Sequence, residues 1–444
     1  MSPGCRASSV AVAGAALVLA IGVPALQTIP AGAHETSRGR LVFAEHDTPF
    51  VRVLDLDSGK VTHSFQMPKP RPALEVGGRY VLILTGDDKG TVRVLDSGLA
   101  VDAHGDHQDV EKRPVRLLKV AVTGDRPSHV ASGYGWTSIF YDGPRPADRE
   151  GDAKAVLLDH KWLARDRTLT LTWTSAGPQH GIAVPLGRDL WSVTSANPAY
   201  GKQEPEASSL PVGLQVIDAG QRWKKIAAFD GSANPAVFCA ELHGHGTDGK
   251  RHIFGCKDAG GTNAEPGAGL LVIEAAADGT WNARPLAYPD DRRVSTIRSR
   301  TGASVMVANY GRGRRYDALL RIAPDATSLS AADVLSVPDG QTACQFDVSD
   351  DGQVVHLLPD GTLRLYATSP AWKEVTRVEA VAPFDCSFGA SAPRPTLELA
   401  GARVFVSDPA RRRIRAFDAK SVKVDRDFPV NGAPEALAAP AGAQ

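Results

Sequence analysis

An excess of charge of either sign is missing from this sequence. Its 50 Lys and Arg are matched by 50 Asp and Glu over 444 residues. Such balance leaves no electrostatic footprint for nucleic acid or anionic lipid. Helix signals are scarce, because 43 Gly and 31 Pro punctuate nearly every segment. Catalytic signatures are absent too. There is no Gly-x-Ser-x-Gly elbow, no His-Glu-x-x-His pair and no Gly-rich phosphate loop ending in Lys-Ser/Thr. Carboxylates are plentiful, but spacing singles out no pair.

A long apolar run occurs only at the N-terminus. Arg6 gives a short positive region, residues 10–23 are apolar, and Ala31-Gly32-Ala33 has the small-x-small form of a cleavage site. This reads as a secretory signal peptide over residues 1–33, its apolar run too short for a membrane anchor. Cys5 precedes the apolar run, so the cleavage point carries no lipoprotein cysteine. The expected mature chain starts at His34, has a flexible stretch over 34–39, and is periplasmic or secreted. Cysteine is sparse as well. Beyond the leader stand Cys239, Cys256, Cys344 and Cys386. An even number in an exported chain suggests two disulfides, and three pairings are possible. Cys239–Cys256 with Cys344–Cys386 is favoured. The first closes a loop of hairpin size, and the second joins equivalent edges of successive repeats. Thiolate metal ligands are the competing reading.

What is present is a repeat. Val-Arg-Val-Leu-Asp stands at residues 51–55 and again at 92–96. Looser copies fall at 214–218, 270–274, 319–322, 363–366 and 414–418. Alternation closed by an acid and a turn residue reads as a β-strand entering a turn. Each copy follows an apolar strand and a turn, and a third strand lies ahead of those. A fourth comes after the acid, as at residues 60–65. Four short antiparallel strands per 40 to 50 residues mark a propeller blade. The middle strand pair begins near 40, 79, 137, 188, 252, 304, 353 and 402, which makes eight units. The first unit lacks an inner strand, and the strand-like piece at 434–439 is left over. Pairing the two closes the ring and removes the open edges. The expectation is therefore all-β: a single β-propeller over 40–440 with eight four-stranded blades. Seven is the alternative, because the unit at 124–160 is irregular.

The propeller gives the histidines a geometry. The N-terminal ends of inner strands open on one face, around the central channel. His129, His180 and His243 hold that position in three successive blades and are expected to converge there. Neutral imidazole is a common zinc ligand, and three with a carboxylate or water complete a tetrahedron. Glu241, two residues before His243, is the candidate fourth ligand. A second cluster is His104-Gly-Asp-His107, in a polar insertion over 97–114, where His-x-x-His with acids suits a borderline metal. His46-Asp47 in a turn and the mature N-terminal His34 are weaker candidates. His63, His160, His252 and His356 fall in strands or strand ends and read as structural, while His245 stays unassigned.

At these residues the chain resembles a known family. Ala44-Glu-His-Asp, Asp102-Ala-His-Gly-Asp-His107, Pro178-Gln-His-Gly-Ile-Ala-Val-Pro-Leu-Gly187, Pro211-Val-Gly213 and Cys239-Ala-Glu-Leu-His-Gly244 look like segments of the AztD family of bacterial zinc chaperones. The likeness spans nearly the whole mature chain, and the second and third His-Gly segments are its most specific parts. The resemblance implies a propeller that binds zinc outside the cytoplasm. It also implies delivery to the solute-binding protein of a zinc-specific ABC importer, with His104, His107, His129, His180 and His243 as zinc ligands. This chain departs from members with a longer His/Asp-rich N-terminus, having only His34-Glu35. A non-enzymatic monomer without a membrane anchor is expected. The rival reading is a propeller enzyme of the lactonase or quinoprotein-like class.

Overall fold

The computed structural model of the protein describes residues 37–104, 107–145, 151–200, 207–261, 267–387 and 389–443. The leader expected at 1–33 and the expected mature start at His34 lie outside the described residues.

Among the described residues, eight four-stranded antiparallel sheets follow one another along the chain. They are the blades of a β-propeller. The innermost strands of blades 1 to 8 are Pro434–Ala438, Ala73–Gly77, Pro127–Gly133, Ala183–Pro185, His245–Thr247, Arg293–Arg298, Gln345–Val348 and Leu397–Ala400. The leftover C-terminal strand does close the ring: Ala438 pairs with Val42 and Leu437 with Phe43. The irregular third unit is a full blade. Its departure is a four-residue helix, His160–Leu163, set between its third and fourth strands.

Burial explains why the middle strands look apolar on both sides. In Arg40–Glu45, Leu41 and Phe43 pack with Phe405, Ile414 and Phe428 of blade 8. Val42 and Ala44 face the other way, toward Val81, Ile83 and Leu95 of blade 2. Each blade is thus sandwiched between two others, and both strand faces leave water. Each buried Val, Leu, Ile or Phe among them contributes roughly 1.5–3 kcal/mol. The outermost strands, such as Lys60–Gln66, are largely exposed. The acid closing the repeated strand serves the turn. Asp55, Asp218 and Asp418 each accept the backbone N–H three residues on, from Ser58, Gln221 and Ser421. Both favoured disulfides are formed, Cys239–Cys256 and Cys344–Cys386.

Strand direction fixes which loops share a face. His129, near the start of its inner strand, pairs with Phe140 near the end of the next strand. The third strand of that blade starts at the same end, where Lys154 pairs with Tyr141. Third strands therefore finish on the opposite face. In blade 2 the third strand finishes at Asp96, opposite Tyr80. The added hairpin Leu99–His104 and His107–Lys112 leaves from that end. No helix among the described residues is long and apolar enough to cross a membrane.

Candidate metal centre

Three blades bring His129, His180 and His243 together. Their ligand nitrogens all lie within 4.8 Å of one another. His129 Nε2 is 3.1 Å from His180 Nε2. The ring of His243 is centred 5.7 Å from that of His129 and 5.4 Å from that of His180. All three are half-buried.

Local chain geometry aims each ring. A register shift between Pro127 and His129 marks a bulge in the inner strand of blade 3, which redirects side chains at a rim. His180 lies on a strap ahead of its strand, its N–H donating to Ser209 O at 2.8 Å. The glycines following His180 and His243 have specific reasons. A Cβ on Gly181 would stand 2.2 Å from Thr194 Oγ1. Gly244 has φ +86° and would place a Cβ 2.3 Å from Ser295 O, so only glycine lets that strap press on blade 6.

Hydrogen bonds on the far ring nitrogens fix two tautomers. His180 Nδ1 is 2.8 Å from Asp142 Oδ2. His243 Nδ1 is 3.0 Å from the carbonyl oxygen of Ser295. An acceptor at Nδ1 calls for an N–H there and leaves the Nε2 lone pair free. Burial first, then His180 and His243, push the His129 imidazole down to about 3. Burial also lowers His243, against the hydrogen bond to Ser295. Both are therefore neutral at ordinary pH, the form that coordinates a metal. Zinc bonded to two nitrogens at about 2.0–2.1 Å in a tetrahedron sets them roughly 3.3 Å apart. The 3.1 Å between His129 and His180 meets that spacing, and the donor set fits zinc.

Asp142 was missed by reading the sequence. Its side chain is 3% exposed and is shared by His180 and Arg126, with Ser128 Oγ donating to its other oxygen. A signal existed. Glu45 and Asp408 end the second strands of blades 1 and 8, and Asp142 directly follows the second strand of blade 3. There the acids pair with Arg52 and Arg413. In blade 3 one carboxylate oxygen serves a histidine as well.

The other candidates fall elsewhere. Glu241 is not in the three-histidine group. It sits in a turn at φ +48° rather than in a strand, so alternation does not carry it toward His243. Its carboxylate instead takes Lys257 Nζ at 3.1 Å and Arg293 Nη1 at 2.9 Å. The side chains of His104 and His107 lie outside the described residues. Their backbones close the hairpin on the face opposite the three histidines. His46 Nδ1 is engaged by Glu435 at 2.9 Å in blade 1. The three histidines line a cavity of about 720 Å³ within the central channel. It reaches Tyr134, Gly249 and Thr301, in the first inner turns at the other end of their blades.

Fold and site together define an eight-bladed β-propeller with three imidazoles converging at one mouth of its channel. The resemblance read from the sequence holds across the chain, which is similar to the zinc chaperone AztD of Citrobacter koseri. The two are 26% identical over 427 residues, covering 94% of this chain and 90% of that protein. The crystal structure of Citrobacter koseri AztD shares the fold, with a TM-score of 0.72 at 23% identity over 90% of this chain and 96% of that one. The apo structure of the same protein gives 0.70 over the same shares. No family model matches the chain.

Proposed function

We propose that this chain is an extracytoplasmic zinc metallochaperone that hands its ion to the solute-binding protein of a zinc ABC importer. The observation that carries the reading is the convergence of His129, His180 and His243, the last two with Nδ1 committed to an acceptor and the Nε2 lone pair left for a metal. The similarity to a zinc chaperone over most of both chains supports it. That relative is a chaperone by name, and we read this chain as a non-enzyme. Two disulfides fit an oxidising compartment. We read the protein as a monomer without a membrane anchor or nucleic-acid partner.

Zinc here is cargo. His180 and His243 hold it rigidly, because Asp142 and Ser295 fix their rings. His129 completes the set as a neutral ligand at the rim. A half-buried site at an open mouth lets an incoming ligand replace one imidazole at a time. The test is a transfer assay on the zinc-loaded mature protein. Zinc should reach an apo zinc-binding solute receptor faster than it reaches an equal capacity of small chelator. Equal rates would mean simple release and would reject directed transfer.

A further inference from the structure

The channel holds two more imidazoles that the three-histidine group leaves unused. His245 opens the inner strand of blade 5, and His252 stands second in the next strand, Arg251–Gly255. Both line the same cavity as His129, His180 and His243. His245 Nε2 lies 3.2 Å from His252 Nδ1. The ring planes are 15° apart with centroids at 5.4 Å, so the two nitrogens face each other head-on. Sequence position alone had made His252 a packing residue.

That separation is the bite of a chelate. A divalent cation bound to two imidazoles at about 2.0–2.1 Å with a tetrahedral angle sets the nitrogens roughly 3.3 Å apart. The pair is within 0.1 Å of that spacing, much as His129 and His180 are at 3.1 Å. The cation takes the place of the one proton the rings now share, and each ring tilts about its Cβ–Cγ bond to aim its lone pair. The strap that brings His243 to the mouth carries His245 two residues further along, toward the far end of the channel. The Cys239–Cys256 disulfide closes the loop that holds all three of His243, His245 and His252.

We propose that His245 and His252 form a second position for a borderline divalent cation such as zinc, inside the channel. Two protein ligands instead of three make it the weaker of the two, with water filling the remaining positions. It serves as a staging point behind the mouth. The proposal rests on the channel taking zinc, and not on transfer to any acceptor.

The test is a calorimetric zinc titration of the mature protein, repeated with cobalt(II) and read by visible absorption. With the hairpin pair removed as His104→Ala/His107→Ala, the protein should take two equivalents, one tight and one weaker, and the variants that follow are made in that background. His245→Gln/His252→Gln should lose the weaker equivalent and keep the tight one. His129→Ala/His180→Ala/His243→Ala should lose the tight one and keep the weaker. His252 is almost fully buried, so the single variant His245→Gln is run in parallel with a thermal melt. It should lose the weaker equivalent at an unchanged melting temperature. One equivalent in that background, or a second that survives when His245→Gln is added to it, overturns the inner position. Tight binding that survives the triple variant overturns the mouth site instead, so the two failures are distinguishable.

Discussion

Two of the histidine groups proposed as zinc ligands are of opposite construction. His104 and His107 are three residues apart, on a hairpin inserted between the last two strands of blade 2. His129, His180 and His243 span more than a hundred residues and come from three blades. The compact motif sits on a two-stranded appendage at one face. The dispersed set sits at the opposite mouth, with its rings fixed by Asp142 and Ser295 and its straps tightened by two glycines. A metal site gains from ligands held in place before the ion arrives. The difference teaches that spacing along the chain is a poor guide to preorganisation, and that position within the repeat is a better one. It also separates the two regions in role, because the hairpin stands away from the mouth.

The largest expected effect breaks the comparison directly. Replacing His129, His180 and His243 together by Ala should eliminate tight zinc binding in calorimetry, whereas His104→Ala/His107→Ala should leave it intact. The reverse pattern would transfer the holding site to the hairpin. Next comes Asp142→Asn, which keeps the shape but removes the charge that orients His180. Zinc affinity, read by competition with a chelator, should fall about 10–100-fold. An unchanged affinity would leave Asp142 a structural partner of Arg126 and Ser128.

Gly244→Ala sharpens the role of the strap. The backbone conformation and the clash with Ser295 should lower stability by roughly 1–3 kcal/mol in denaturant unfolding. Weakened zinc binding should accompany that loss, since His243 moves with the strap. The smallest effect contrasts a histidine that only packs. His356 is fully buried, its Nε2 without a partner, and burial pushes it down to about 3. The folded protein refuses a proton that the unfolded chain accepts below about 6.5. This group therefore costs nothing above pH 6.5, and stability falls as pH drops from there toward 3. His356→Leu should flatten that decline by at most about 1.4 kcal/mol per pH unit, read between pH 6.5 and 5. Zinc affinity at neutral pH should not change.

Much of the fold was legible in the chain. Val51–Asp55 and Val92–Asp96 gave the period, and the unpaired segment at 434–439 called for closure with Arg40–Glu45. Those features depend on local alternation and turn chemistry, which short stretches carry. The three histidines were legible because they share a place in the repeat. Glu241 and Asp142 show where this stops. Alternation placed Glu241 beside His243, but a left-handed turn and two cationic neighbours hold its carboxylate elsewhere. Asp142 is joined to His180 only through the packing of two blades: the acid at the end of the second strand recurs in blades 1 and 8, but there it pairs with arginine, so its place alone does not announce a histidine partner. The pairing of His245 with His252 likewise crosses two strands whose register the sequence does not print.

The most direct test of the central claim is anomalous diffraction at the zinc edge from crystals of the zinc-loaded protein. The strongest anomalous peak should lie bonded to His129, His180 and His243 at the channel mouth. A strongest peak on the hairpin of His104 and His107, or none at the mouth, would contradict it.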